Sequence, residues 1–366
     1  MTITIFTGSL SGGGAERVAT NLANFLSQRG HDVELLTVGD RKSIEKLTQQ
    51  VRTTFLKAGA SSHNRLINRI QRLLALKKHL KEHDRDCYIS LLSVPSMMLL
   101  ILRRFTKAAI IVSQRVDPSS QAKWIQIANR CLAERADGYV FQTETARKWF
   151  LPSIKTIRHA VIPNAINPVF LREPYTGERD KEIVSVGRLT EQKNFPLLIK
   201  AFSQIATEFP EYRLTIYGDG PLRHHLQQLI LEHGLKDRVH LRGFVTEIEK
   251  RLETASMFVL ASDYEGMPNA LMEAMALGLP CVSTDCSGGG AKFLIDSGKN
   301  GLLVPVGDVQ SMVEAMRTLL CAPQMAYNYG VEASKIRMRL SADEIYGQWE
   351  LFALKVSKCK KVFESS

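Results

Sequence analysis

An alternation of short strands with helical stretches, run through twice, constrains this 366-residue chain more than any other feature. TITIFT, VELLTV, CYISLL, AIIVSQ, GYVFQT and AVIP are apolar or β-branched runs separated by helix-period patterns. The rhythm resumes with EIVSVG, RLTIYG, VHLRG, MFVLAS, PCVST and NGLLVP. Strands that alternate with helices pair in parallel, because each helix carries the chain back to the starting edge. The expected fold is therefore α/β, with two doubly wound, largely parallel sheets, and the length suffices for two cores of about 150 to 180 residues each. The stretch NAINPVFLREPYTGERDKE has Pro168, Pro174 and Gly177 and no periodic apolar pattern, which predicts a linker. The boundaries expected are 1–165 for the first domain, 166–181 for the linker and 182–340 for the second domain. A helix over 341–366 lies past the last strand and is expected to pack back on the first domain.

Open parallel sheets bind ligands beyond the carboxyl ends of their strands, so two such domains facing each other form a cleft, and function is to be sought in loops that follow strands. In TGSLSGGGAERVATNL, Gly12, Gly13 and Gly14 precede a helix. Either their bare backbone lets amides approach a phosphate, aided by the helix dipole, or the turn is merely tight. In VGRLTEQKNFPLLIKAF, Gly187 ends a strand and Arg188 and Lys193 flank the turn. They are either a clamp for a diphosphate whose charge grows as it leaves, or two solvated cations. A third loop is YGDGPLRHHL. In the fourth, ASDYEGMPNALMEAMALGLP, Gly266 allows a sharp turn and Pro268 suits the first helical position, leaving the amides of Met267, Asn269, Ala270 and Leu271 at an open helix start. Glu265 precedes that helix and Glu273 lies inside it. Each carboxylate can accept hydrogen bonds from adjacent hydroxyls of a ribose or hexose; the alternative is a capping acid and a solvated helix residue.

The balance of 48 Lys and Arg against 37 Asp and Glu, a net charge of +11, favours anionic partners. Residues 63–85 carry seven Lys/Arg and two acids, and Leu66, Ile67, Ile70, Leu73, Leu74, Leu76 and Leu80 recur at helical spacing. That is a basic amphipathic helix, which either packs on the core or rests on anionic lipid. No interleaved aromatics or zinc-finger pattern points to nucleic acid. No run is long enough to cross a bilayer, the N-terminus lacks the pattern of an export signal, and the six cysteines include no C-x-x-C pair. A cytoplasmic chain without disulfides or structural zinc is expected. Asp84-Arg85-Asp86, the one D-x-D match, ends the basic helix and reads as chance.

Taken in order, G-R-L-x-x-x-K-N, Y-G-x-G-P-L-R, S-D-Y-E-G-M-P-N-A-L-M-E-A-M-A-L-G-L-P and N-G-L-L-V-P-V-G-D resemble the retaining glycosyltransferases of family 4, with SGGGAERV and VIPNAINP similar to the family's first domain. The resemblance implies the GT-B architecture: two Rossmann-like domains facing across a cleft, the first on the acceptor side and the second binding a nucleotide sugar. By motif position it implies that Glu265 holds donor hexose hydroxyls, Glu273 the ribose, Arg188 and Lys193 the diphosphate, and the backbone near Gly243 and Phe244 the base. Arg188, Lys193 and Glu265 are then the catalytic set, and no metal or other cofactor is needed. Retention follows a same-face route through an oxocarbenium-like state, so Glu265 is no nucleophile. Two departures stand out. A histidine common in relatives is absent, and Gln114-Arg115-Val116-Asp117 resembles an S-E-R-N-D-P variant in which Arg115 and Asp117 supply the sugar contacts. Phe293 stands where relatives carry an acid.

The resemblance further implies transfer of a hexose or N-acetylhexosamine from a UDP-sugar to a growing capsule, O-antigen or other glycan on polyprenyl diphosphate, at the inner membrane face. The rivals are a soluble acceptor or a lipopolysaccharide core, and a catalytically silent partner subunit. A dinucleotide-dependent oxidoreductase lacks its glycine fingerprint here.

Overall fold

Fully buried strands read as unbroken apolar runs rather than alternating ones, and strands such as CYISL and AIIVSQ of this protein are built that way. The computed structural model describes residues 1–8, 14–39, 47–56, 65–154 and 157–364. The chain divides into two units, Met1–Ala165 with Asp343–Ser366, and Ile166–Ala342.

In the first unit the strands are β1 (Thr2–Thr7), β2 (Asp32–Thr37), β3 (Arg52–Phe55), β4 (Cys87–Leu91), β5 (Ala109–Gln114), β6 (Gly138–Phe141) and β7 (Arg158–Val161). They pair in parallel in the order β3-β2-β1-β4-β5-β6-β7. The second unit holds β8 (Asp180–Val186), β9 (Arg213–Tyr217), β10 (Val239–Gly243), β11 (Ala255–Leu260), β12 (Cys281–Thr284) and β13 (Leu302–Val304), in the order β10-β9-β8-β11-β12-β13. These strands too are parallel. Both sheets thus wind outward in two directions from a central pair, the doubly wound Rossmann-like pattern with a switch point at β1/β4 and at β8/β11.

Right-handed crossovers put the helices Arg65–Glu82, Ser93–Ile101, Lys123–Leu132 and Glu144–Phe150 on one face of the first sheet, because their connections all step the same way. The helix Gly14–Gln28, stepping back from β1 to β2, takes the other face. Phe6, Tyr88, Ile110, Val112, Tyr139 and Phe141 point into the first layer and pack with Leu76, Leu80 and Leu99. In the second unit Ile183, Ile216 and Val259 meet Leu198, Phe202 and Met312.

Four features differ from the sequence reading. β3 lies at the sheet edge as RTTF, three of its four residues polar and none fully buried, and so carries no apolar run by which to find it. Residues 166–181 belong to the second unit rather than standing as a separate linker: Ile166 and Phe170 are buried, and Asp180 already begins β8. The basic helix spans Arg65–Glu82, with 63 and 64 and the Leu66 side chain outside the described residues, and its apolar set is split. Leu76 and Leu80 enter the core, whereas Ile67, Ile70 and Leu74 face solvent. Arg85, counted among the seven Lys/Arg of the basic stretch, lies past the end of that helix and is buried: it donates to Glu34 at 2.9 Å and to Asp32 at 3.1 Å.

Asp86 accepts hydrogen bonds from the Thr2 amide and hydroxyl, so Asp84-Arg85-Asp86 ties β4 to β1 at the amino end of the sheet, away from the strand ends that bind ligands. The helix Ala342–Glu364 docks within the first unit. Glu350 takes Arg29 at 3.3 Å and His31 at 2.8 Å, and the Arg115 guanidinium lies 5.0 Å from the centre of the buried Trp349 ring.

Candidate active site

β8 and β11 are neighbours whose following loops turn away from each other, and the loops 187–194 and 261–266 meet at that divide. Four hydrogen bonds stitch them together. The Asp263 amide donates to Gln192 O at 2.9 Å, Gln192 Nε2 to Tyr264 O at 2.9 Å, Asn194 Nδ2 to Asp263 Oδ1 at 2.7 Å, and Lys193 Nζ to Glu265 Oε1 at 2.5 Å. Asn194 has φ 43°, a left-handed conformation asparagine tolerates, and its Oδ1 also accepts from the Leu197 amide to cap the helix Phe195–Ile205. One side chain thereby starts a helix and fixes the opposite loop.

Gly187 decides where Lys193 can go. A Cβ built there would lie 2.9 Å from Lys193 Cε, so the lysine stem runs across the bare glycine to reach Glu265. Gly218, with φ 133°, approaches even more closely: a Cβ would meet Gly187 O at 2.0 Å. The glycines at the ends of β8 and β9 are thus spacing for a floor of backbone beneath the ion pair.

Glu265 is 8% exposed, and both of its donors use the same oxygen: Lys193 at 2.5 Å and Ser262 Oγ at 3.0 Å reach Oε1. Oε2 receives no hydrogen bond from the described residues. Ser262 is itself held through its carbonyl, which accepts from Thr284 Oγ1 at 2.6 Å. Burial, together with the Glu265 charge, pushes the neighbouring Cys286 thiol up to about 12, which keeps it from serving as a thiolate nucleophile. The result is a rigid carboxylate offering one free oxygen beside an ammonium, suited to hold a hydroxylated, negatively charged ligand.

The remaining expected residues lie at varied distance from this centre. Glu273 is buried at 7% exposure on the helix Asn269–Ala276. Pro268 sits at the cap rather than the first helical position, and its carbonyl accepts from the amides of Leu271 and Met272 at 3.1 Å each. The amide of Leu271 is therefore spent within the turn, whereas those of Met267 and Ala270 have no backbone partner among the described residues; Asn269 lies between them. Arg188 is exposed and its side chain makes no hydrogen bond or ion pair with the described residues, so contact does not join it to Lys193. Gly243, with φ 74°, ends β10 and accepts from the Gly218 amide at 2.7 Å, and Phe244 beside it is 80% exposed.

In the first unit Gly12 and Gly13 fall outside the described residues, and Gly14 opens the helix Gly14–Gln28. Arg115 is buried: Nη1 donates to Asn164 at 2.9 Å, the group stacks on Trp349, and burial lowers its pKa to about 10. Asp117 caps the short turn Pro118–Ser120 by accepting from the Ser119 amide and hydroxyl. Asp117 is thus engaged in that turn, whereas Nε and Nη2 of the buried Arg115 have no hydrogen-bond partner among the described residues. Phe293 is 37% exposed with the Arg339 guanidinium 5.6 Å from its ring centre, a stacked pair where an acid was expected.

Sequence reasoning named Lys193 and Glu265 and missed Asn194, Ser262 and Asp263, which hold them. The K-N pair, with a helix-capping asparagine next to the lysine, was the available signal.

Comparison with known proteins bears on the whole chain. Residues 12–170 match the family described as Glycosyltransferase Family 4, and residues 180–322 match Glycosyl transferases group 1. An N-acetylgalactosamine-N,N'-diacetylbacillosaminyl-diphospho-undecaprenol 4-alpha-N-acetylgalactosaminyltransferase of Campylobacter jejuni is 30% identical over 86% of this chain and 89% of its own length. An exopolysaccharide phosphotransferase of Streptomyces coelicolor is 33% identical over 77% of this chain, which spans only 30% of that larger protein. Among solved structures, Anabaena HepE in complex with UDP superposes with a TM-score of 0.81 at 19% identity, covering 97% of this chain and 100% of that one, a likeness of fold. With a relative at 30% identity matched over nearly its full length and two family models spanning both units, the chain belongs to glycosyltransferase family 4 and is a retaining glycosyltransferase of GT-B architecture.

Proposed function

We propose that this chain transfers a hexosyl or N-acetylhexosaminyl group from a UDP-sugar to a hydroxyl of a growing glycan carried on polyprenyl diphosphate. The observation that carries the reading is Glu265, whose two protein donors crowd onto Oε1 and leave Oε2 for a ligand. Strand spacing supports the donor's orientation. From Gly243 at the end of β10, past β9 and β8, to Glu265 beyond β11 is three inter-strand steps, or about 14 Å, the length of an extended nucleoside diphosphate sugar.

In this reading the base lies against the backbone of Gly243 and Phe244, Glu273 takes the ribose hydroxyls and Glu265 Oε2 the hexose hydroxyls. Lys193 and the exposed Arg188 hold the diphosphate, with the amides of Met267, Asn269 and Ala270 at the positive end of a helix dipole. As the bond from the anomeric carbon to the diphosphate breaks, its electron pair goes to a phosphate oxygen that these cations and amides stabilise, and stabilisation of that growing charge is what lowers the barrier. The acceptor hydroxyl then attacks on the face the diphosphate leaves and passes its proton to the departing phosphate oxygen, giving retention. A UDP complex in one fold neighbour and an undecaprenol-linked substrate named for one relative favour these two choices. The exposed Arg69, Lys78 and Lys81 of the helix Arg65–Glu82 favour work against an anionic membrane surface.

A panel of UDP-, GDP- and ADP-sugars read by thermal shift tests the donor: at 100 times its dissociation constant the right one adds about 2.7 kcal/mol. Turnover by Glu273→Ala and Lys193→Ala tests the site. Activity equal to wild type in both would leave the assigned residues without a role.

A further inference from the structure

We infer that the helix Lys123–Leu132 is a membrane-insertion element, which presents Trp124 and Ile127 to an anionic bilayer. This rests on the reading that the first unit works at a membrane, and it adds a second helix to the basic one. An ordinary surface helix turns its apolar stripe to the core and its polar side to water. Here the outward side is apolar as well: Ile125 and Leu132 are half-buried, Leu132 against the core, yet two further large apolar groups are left outside. Trp124 is 57% and Ile127 63% exposed, whereas Asn129 is buried. The inward side is fastened by polar bonds: Gln126 Nε2 donates to Ser119 O and Gln121 O at 3.1 and 2.7 Å, and Asn129 reaches Gln121 Oε1 at 3.4 Å. A helix that spends amide groups on its anchoring while leaving an indole and an isoleucine in water has a partner for those groups elsewhere.

The neighbourhood says what kind. The helix Ser93–Ile101 packs between this one and Arg65–Glu82 in the same layer, and it exposes Val94 and Ile101, while Ile70 and Leu74 stand exposed on Arg65–Glu82. The same layer carries cations: Lys123 and Arg130 are exposed on this helix, Arg130 lying 3.9 Å over Trp149, and Lys77, Lys81 and Arg104 lie about the Phe105 ring at 4.7, 5.5 and 4.8 Å. Charge is divided unevenly along the chain. Residues 1–165 hold 25 Lys and Arg against 12 Asp and Glu, whereas 166–342 hold 19 against 21. Exposed apolar side chains and cations on the same helices match the boundary of an anionic bilayer, where an indole sits at headgroup depth and basic stems reach phosphates.

The test is co-sedimentation of the full chain with vesicles of phosphatidylcholine alone and with about one third phosphatidylglycerol. Wild type is expected to sediment with the anionic vesicles only. The double variant Trp124→Ser, Ile127→Ser should bind them on the order of a hundredfold more weakly, because two exposed apolar side chains no longer leave water. Its melting temperature and its stabilisation by UDP should be unchanged, and Leu231→Ser, an equally exposed apolar site in the second unit, should bind as wild type does. If wild type binds anionic vesicles and the double variant binds equally well, this helix has no part in membrane attachment. If wild type fails to bind at all, the membrane reading itself falls. Equal binding to both vesicle types, or a wild-type oligomer that the double variant dissolves, overturns the proposal in favour of a neutral or a protein partner.

Discussion

Glu34 lies within β2 of the first unit and accepts from Thr4 Oγ1 at 3.0 Å, Thr54 Oγ1 at 2.6 Å and Arg85 Nη2 at 2.9 Å, with His79 Nε2 3.4 Å away. Glu265 lies beyond the end of β11 in the second and has two donors on one oxygen. Both are nearly buried carboxylates beside cations, and burial alone does not tell them apart. Engagement does. Both oxygens of Glu34 are taken by the protein, so its charge stabilises the fold, whereas among the described residues Glu265 is held through Oε1 and receives no hydrogen bond at Oε2. A carboxylate becomes a binding group when its scaffold satisfies it incompletely.

The largest effect expected from breaking this contrast is on the first unit's stability. Glu34→Ala leaves the buried Arg85 with Asp32 alone and takes from His79 its neighbouring carboxylate, and loss of one partner from a buried charge cluster costs about 3 to 5 kcal/mol. Chemical denaturation of wild type and variant measures it. Lys193→Ala should lose only about 1 kcal/mol of stability, since the lysine it removes is partly solvated. On the proposed reading the same Lys193→Ala should instead cut turnover by about a hundredfold to a thousandfold, the usual toll for removing one stabiliser of developing charge, and Glu265→Ala by a similar factor because the hexose loses its hold. A Glu34 variant that folds but loses turnover as severely, or a Glu265 variant that unfolds first, would erase the distinction.

Acid sharpens the comparison further. Burial alone would raise the Glu34 pKa, but hydrogen bonds from His79 and Thr54, with the charges of His79 and Arg85, bring it from the usual 4.5 down to about 2. A folded-state pKa below the unfolded one means that the unfolded chain binds the proton first. The stability Glu34 contributes is therefore present in full above pH 4.5 and disappears as pH falls through about 2. The stability gap between wild type and Glu34→Gln should shrink by about 3 kcal/mol over that window. A gap that is flat with pH would mean the carboxylate is not held ionised by its neighbours.

Much of this was legible in the sequence, for reasons particular residues make clear. Strands such as AIIVSQ and MFVLAS are buried on both faces and announce themselves as continuous apolar runs, whereas RTTF of β3 sits at an edge and alternates too weakly to register. Lys193 and Glu265 are visible as motif residues. Their contact joins positions 72 apart and depends on how two loops leave neighbouring strands, which no local pattern states. Glu34 is one acid in the run VELLTV, and nothing local to it reveals that Arg85, 51 positions away, will neutralise it. The helix Arg65–Glu82 has the period of an amphipathic helix, but period does not say that Ile70 and Leu74 would be left in water while Leu76 and Leu80 are buried.

The smallest effect expected comes from Gly187, which touches no ligand in the proposed mode of binding. Its φ is not left-handed, so the backbone itself accepts alanine, and the obstacle is Lys193 Cε at 2.9 Å from the added Cβ. A lysine stem is flexible and can yield by a few tenths of an ångström, but doing so lengthens the 2.5 Å contact with Glu265. Gly187→Ala should leave unfolding nearly unchanged and lower kcat by about tenfold with little change in KM, because misplacing a charge that acts on the leaving diphosphate weakens the transition state more than the ground state. Adding Lys193→Ala to it should then cost no more than Lys193→Ala alone, since the two changes act through one side chain. Full additivity in that double-mutant cycle would mean that the glycine serves something other than the path of the lysine.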